Sequence, residues 1–199
     1  MMLIEQTSVP TAALPVQEFK DHLRLGTGFG DDSLQDGVLA AYLRAALAAI
    51  EARTGKMLLE RNFAWTLTAW RSAKSQGLPV GPISAITALT LIDHAEQESE
   101  VSQSAYGLKQ DLHLPVLITR GACLPTVPAN GFVRVSFTAG FGATWSSVPA
   151  DLQHAVLLLA SNYYEFRQDG AAGDGAIPQA VLSLISRYRA LRISAGGAT

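Results

Sequence analysis

The spacing of apolar residues divides the chain into three parts. Residues 14–60 and 148–193 carry apolar positions at helical spacing, whereas residues 61–142 contain stretches in which apolar and polar residues alternate. The sequence therefore predicts an α+β protein that is mainly an α-helical bundle of about four helices. A β-rich insertion is expected between the second and third long helices, and residues 1–13 and 194–199 are predicted to be flexible termini.

The N-terminal part of the bundle is predicted to hold two helices. Val16, Phe19 and Leu23 fall on one helical face and predict a short helix over residues 15–25. A long, alanine-rich helix follows and is predicted to end at Gly55, because glycine readily adopts the left-handed conformation that closes a helix.

The middle of the chain changes to a period of two. Alternation predicts strands over residues 63–69, 86–92 and 133–137, with weaker candidates at 106–108 and 116–119. Residues 93–100 contain four acidic side chains and no lysine or arginine. We interpret them as a solvated hairpin tip rather than a functional acidic patch.

Two further helices are predicted in the C-terminal part. Residues 152–167 are apolar around much of the helical circumference, which favours a helix buried on several sides. A glycine-rich break over 170–175 precedes Pro178, which is suited to opening a final helix. The apolar stripe of this last helix either packs on its own domain or docks into a groove of a partner.

Composition narrows the class of protein. Apolar residues make up 48% of the chain and charged residues 16%, below the roughly 25% charged share of typical domains. This favours a protein that shares surface with other copies. A formal net charge of −2 gives no global electrostatic case for nucleic-acid binding. The single Cys123 excludes an internal disulfide, and its apolar neighbours predict a small buried side chain.

No motif carries recognisable chemistry, and we predict no catalytic, cofactor-binding or metal-binding residue and no cofactor. The glycine-rich run over residues 26–30 follows a predicted helix, whereas a phosphate loop follows a strand. The four histidines, His22, His94, His113 and His154, lack the spacing that places two metal ligands on one helical face. The N-terminus lacks a basic signal-peptide region, and no stretch is long enough for a membrane span, so the protein is expected to be made in the cytoplasm.

Six segments follow one another along most of the chain: residues 19–24 (FKDHLR), 50–56 (IEARTGK), 78–83 (LPVGPI), 133–142 (VRVSFTAGFG), 148–152 (VPADL) and 164–167 (YEFR). In their order and spacing they resemble the head–tail connector (adaptor) proteins of long-tailed phages, and in particular those of gene transfer agents, which are phage-like particles. The resemblance depends on structural segments rather than on catalytic motifs.

The resemblance implies a structural protein, not an enzyme. It implies a ring, expected to be dodecameric, that joins the portal to a stopper or tail component and lines a channel through which DNA passes without sequence recognition. The protein would then belong to the head–tail neck of the particle, with no membrane partner. The candidate portal-docking residues lie in the last helix: Val181, Leu184, Ile185, Arg187, Tyr188, Arg189, Leu191 and Arg192.

Two alternatives remain open from the sequence. One is a small α+β enzyme or ligand-binding domain whose site is assembled from distant residues. The other is a DNA-binding regulator, which the low basic content disfavours.

Overall fold

A computed structural model describes residues 2–24, 35–166 and 177–189. The glycine-rich runs at 26–30 and 170–175, the candidate docking residues Leu191 and Arg192, and the tail from 194 to 199 lie outside the described residues. The helices are α1 (Val16–His22), α2 (Asp36–Thr54), α3 (Ala150–Glu165) and α4 (Gln179–Ile185). The strands are β1 (Met2–Glu5), β2 (Arg61–Leu67), β3 (Ser75–Gly77), β4 (Ile83–Ile92), β5 (Glu98–Glu100), β6 (Tyr106–Lys109), β7 (Val116–Thr119) and β8 (Phe132–Ala139).

The prediction of a mainly α-helical bundle is wrong. The described residues form four α-helices and eight strands, and the strands build two antiparallel sheets with the orders β1-β2-β8-β4-β5 and β3-β7-β6. Three strands, β1, β3 and β5, were not predicted from the sequence. All side chains of β1 and β5 are exposed, and β3 is only three residues long, so none of them shows the alternation that reveals a half-buried strand.

The helical half is built around α2 and α3, which pack against each other. Leu39, Leu43, Leu47 and Ile50 of α2 recur at helical spacing and are buried in the core of this half. The helix ends as predicted at Gly55, which has a φ of 66° and donates its N–H to the carbonyl of Glu51 over 2.8 Å. α1 packs on α2, and α4 packs on α3.

The β half has a separate core between its two sheets. Val133, Val135 and Phe137 of β8 alternate with more exposed residues and are fully buried. The Phe137 ring stacks on Phe63 of β2, with the ring centroids 5.7 Å apart. The predicted alternation of this segment is therefore that of a central strand between β2 and β4.

A buried ion-pair cluster joins the two halves. Arg61, at the start of β2, donates to Glu51 of α2 over 2.6 Å and to Glu5 of β1 over 3.0 Å. The other carboxylate oxygen of Glu51 accepts the N–H of Leu58 over 2.8 Å. Burial raises the pKa of the Glu51 carboxyl, and the opposing effect of Arg61 does not cancel it. One arginine thus ties the N-terminal strand, the sheet and the long helix together.

Candidate interaction surfaces

The predicted docking helix packs on its own chain. Val181 and Ile185 have no exposed surface and Tyr188 is 3% exposed, and all three belong to the core of the helical half. Leu184 is partly buried against the same core. The four described residues of the apolar stripe, which the sequence assigned either to the core or to a partner groove, therefore pack against the core of their own chain.

The two described arginines of that segment are exposed and differ in their contacts. Arg187 forms an ion pair with Asp151 at the start of α3 over 2.8 Å and lies over the ring of Tyr188. The Tyr188 hydroxyl donates to the same carboxylate over 2.7 Å. Arg189 is exposed at the end of the described segment and has no ion pair within the described ranges.

Residues 93–100, here called the acidic hairpin, connect β4 to β5 and include β5 itself. Asp93 shapes the turn, because its carboxylate accepts the N–H groups of Ala95 and Gln97 over 2.8 and 2.9 Å. These bonds lower the pKa of the Asp93 carboxyl, so the group stays ionised. Glu98 pairs with Arg134 over 2.9 Å, while Glu96 and Glu100 are exposed and make no ion pair with any described residue.

Three exposed cations, here called the basic cluster, lie near the start of β3 and the end of β7. They are Arg71, Lys74 and Arg120. The two segments are held together because the carbonyl of Lys74 accepts the N–H of Thr119 over 3.1 Å and the carbonyl of Ala73 accepts that of Leu124 over 2.7 Å. Over the residues that the structure describes, none of the three cations has a carboxylate within ion-pair distance.

Exposed apolar side chains occur at two further places that the sequence analysis missed. Met2 and Ile4 of the edge strand β1 are 56% and 45% exposed, although this segment was predicted to be a flexible terminus. Leu112 and Leu114 are exposed in the loop between β6 and β7, where the Asp111 carboxylate accepts the N–H groups of residues 113 and 114. A run of three apolar residues at 2–4 was the available signal for the strand.

A shallow cavity of about 440 Å³ is lined by Ser84, Gln110 and Asp111 together with apolar residues of β4 and the loop after β8. The prediction that Cys123 is buried is wrong, because it lies in an exposed turn. Within the described ranges, no three His, Cys, Asp or Glu side chains lie close enough to hold a metal ion. The helices described there are also too short or too polar to cross a membrane.

Solved structures resemble the chain closely over almost its full length. A chain from the neck of an empty GTA particle, computed with C6 symmetry, is 52% identical with a TM-score of 0.90, and 98% of this chain and 99% of that chain are covered. A chain from the virion of a native gene transfer agent (GTA) particle is also 52% identical, with a TM-score of 0.88 and the same coverage. A third, from the neck of a native GTA particle computed with C12 symmetry, is 48% identical with a TM-score of 0.85, again over 98% and 99%. No protein-family model and no curated protein matches the chain.

Proposed function

The chain belongs to the head–tail adaptor family of gene transfer agents, and we propose that twelve copies form a ring in the particle neck, between the portal and a stopper or tail component. The protein is a structural head–tail adaptor of a phage-like particle. The observation that carries this conclusion is 48–52% identity to neck and virion chains over 98% of the sequence.

The symmetry of the related necks supports the proposed number of copies. One related neck was computed with C12 symmetry and another with C6 symmetry, and a ring of twelve is compatible with both. Subunits of a closed ring contact each other head to tail, so each subunit needs two different surfaces. The acidic hairpin and the basic cluster are two exposed surfaces of different chemistry on one chain.

The ring surrounds DNA without reading its sequence. A net charge of −2 and 16% charged residues leave few cations to hold phosphates, and affinity for DNA rises with the number of phosphates that lysine and arginine neutralise. Weak attraction suits a channel that DNA must traverse. We infer that the protein is made in the bacterial cytoplasm and then incorporated into the neck.

We propose that contact with the portal involves the exposed side of the C-terminal segment. Val181, Ile185 and Tyr188 anchor α4 in the helical core, which fixes the position of Arg187 and Arg189 at the surface. Leu191 and Arg192 continue the segment beyond the described residues. Arginines at an exposed terminus orient a partner by charge and contribute mainly to specificity.

Deletion of the gene tests the adaptor role. Particles from the deletion strain are expected to be filled heads and separate tails that fail to join, with complementation restoring joined particles. Electron microscopy of purified particles gives the count. Joined particles at wild-type frequency in the deletion strain would contradict the proposed function.

A further inference from the structure

The two exposed charge groups of the β half belong to different strands and loops. The acidic hairpin includes β5, which forms one edge of the five-stranded sheet, and the two sheets contact each other on this side through β4 and β6. Arg71 and Lys74 directly precede β3, the edge of the small sheet that lies away from β6. Arg71 and Lys74 also follow β2, which β8 and β4 separate from β5, although β2 and β4 finish at the same end of the five-stranded sheet. The hairpin and the first two cations of the basic cluster are therefore distinct surfaces of the β half.

Among the residues that the structure describes, most of the charge on the acidic side has no ion-pair partner. Glu96 lies at the tip of the hairpin with a φ of 61°, and Glu100 ends β5, and both are exposed. The Asp93 carboxylate accepts two backbone N–H groups. Among the described residues of the hairpin, Glu98 forms an ion pair, with Arg134. Several carboxylates along so short a segment repel each other and favour a cationic partner.

The basic side has the complementary property. Arg71, Lys74 and Arg120 are exposed, and the hydrogen bonds that join their two segments are backbone bonds, which leave the side-chain cations free for a partner. From Asn62 to Ile92 the chain contains no acidic residue at all. Long side chains have many rotamers, so this cluster can adapt to a partner surface at a cost in rotamer entropy.

We propose that neighbouring copies in the ring contact each other through these two surfaces, the acidic hairpin of one copy meeting Arg71 and Lys74 of the next. The inference rests on the proposed ring. A second copy is the occupant that satisfies both surfaces at once, because one pairing neutralises the hairpin and the cluster together. A DNA phosphate or an acidic partner would neutralise the cations and leave the carboxylates unpaired. The pairing joins two different surfaces, as the head-to-tail contacts of a closed ring require, while hairpin against hairpin and cluster against cluster repel.

Charge reversal followed by charge exchange tests the contact. One variant carries Glu96→Lys and Glu100→Lys, a second carries Arg71→Glu and Lys74→Glu, and a third carries all four substitutions. Each is produced as the full chain in the deletion strain, and joined particles are counted by electron microscopy. We expect each two-residue variant to reduce joined particles by at least about tenfold, because like charges then face each other at every subunit contact. The four-residue variant should recover most of the wild-type count.

A matched control carries Arg53→Glu and Lys109→Glu, which change the net charge as much as the second variant at exposed positions outside the two surfaces. It should assemble normally. Thermal unfolding of each purified variant checks folding, and any reversal that unfolds the chain is replaced by its neutral form with glutamine, for which a smaller reduction is expected. Normal assembly of the two-residue variants, or a four-residue variant as defective as they are, would overturn the proposed contact.

Failure of the proposed function gives a different pattern. If the chain is not the adaptor, the deletion strain itself forms joined particles and no variant differs from wild type. If the chain is the adaptor but its ring contact lies elsewhere, the deletion abolishes joining while the exchange of charges fails to restore it.

Discussion

In the helical half, the faces of α2, α3 and α4 turn their apolar residues toward one another, whereas the β half leaves two sheet edges and charges of both signs at its surface. The same kind of apolar pattern, read in α4, suggested a docking stripe that the structure places in the core. An amphipathic pattern of apolar residues therefore indicates which face of a segment is buried, not which face binds a partner. Surfaces for assembly are better identified from exposed groups that internal packing leaves unpaired.

Burying a charge in each core should produce the largest effect and tests whether the halves fold as one unit. Leu43 of α2 and Leu89 of β4 are both fully buried. An unpaired buried carboxylate costs several kcal/mol, comparable with the ~5–15 kcal/mol stability of a whole domain. Leu43→Asp and Leu89→Asp should each abolish the single thermal transition followed by circular dichroism, and Leu157→Asp, at a half-buried site, should cost less. If a variant still shows a cooperative thermal transition, arising from the half without the substitution, the two halves fold independently.

Truncation after Gly175 should have the next largest effect. It removes Val181, Ile185 and Tyr188 from the helical core, and each large apolar side chain lost from a core costs on the order of 2–5 kcal/mol. We expect a strongly lowered melting temperature or loss of folding. A truncated chain with unchanged thermal stability would show that α4 is an independent docking arm.

Breaking the junction between the halves should cost less than removing a helix. Arg61→Ala leaves Glu51 buried without its cation, a change that typically costs about 3–5 kcal/mol. The matched control is Arg134→Ala, whose pair with Glu98 is exposed and should contribute at most about 1 kcal/mol. Urea unfolding of both variants gives the difference. Equal losses would contradict the structural role assigned to Arg61.

The smallest predicted effect is a pH dependence at the same junction. Burial raises the pKa of Glu51 above its ordinary value of 4.5, so the folded state binds this proton more tightly than the unfolded state. Its contribution to stability is therefore fully present below pH 4.5 and is lost as the pH rises through the raised pKa. The free energy of unfolding of wild type relative to Glu51→Gln should fall as the pH rises through this window. A relative stability that rises instead would reverse the assigned cause.

Helices and strands with one buried and one exposed face could be predicted from the sequence. The end of α2 at Gly55 and the strand Val116–Thr119 were predicted at their observed bounds, and the central strand β8 was placed by its alternation. The β1 strand had only a weak local signal, the apolar run at 2–4, because its side chains are all exposed and its partners, residues 63–66, are about sixty positions away in the chain. Pairing of that kind depends on the folded sheet rather than on local pattern.

The interaction surfaces were predictable in part. The acidic run at 93–100 was visible in the sequence but was interpreted as solvated, since nothing local showed that Glu96 and Glu100 are exposed without an ion pair to any described residue while a basic cluster is exposed on the same chain. That cluster joins Arg71 and Lys74 to Arg120 through backbone bonds between distant segments. Resemblance to gene transfer agent adaptors identified the function, because order and spacing of segments persist where no catalytic motif exists.

The most direct test of the adaptor assignment is to image joined particles that carry this chain with a small electron-dense label at its C-terminus. We expect twelve copies of the label in a ring around the particle axis, at the junction of head and tail. Separated tails without necks should carry no label. Label on the head shell or along the tail, or joined necks that lack it, would contradict the assignment.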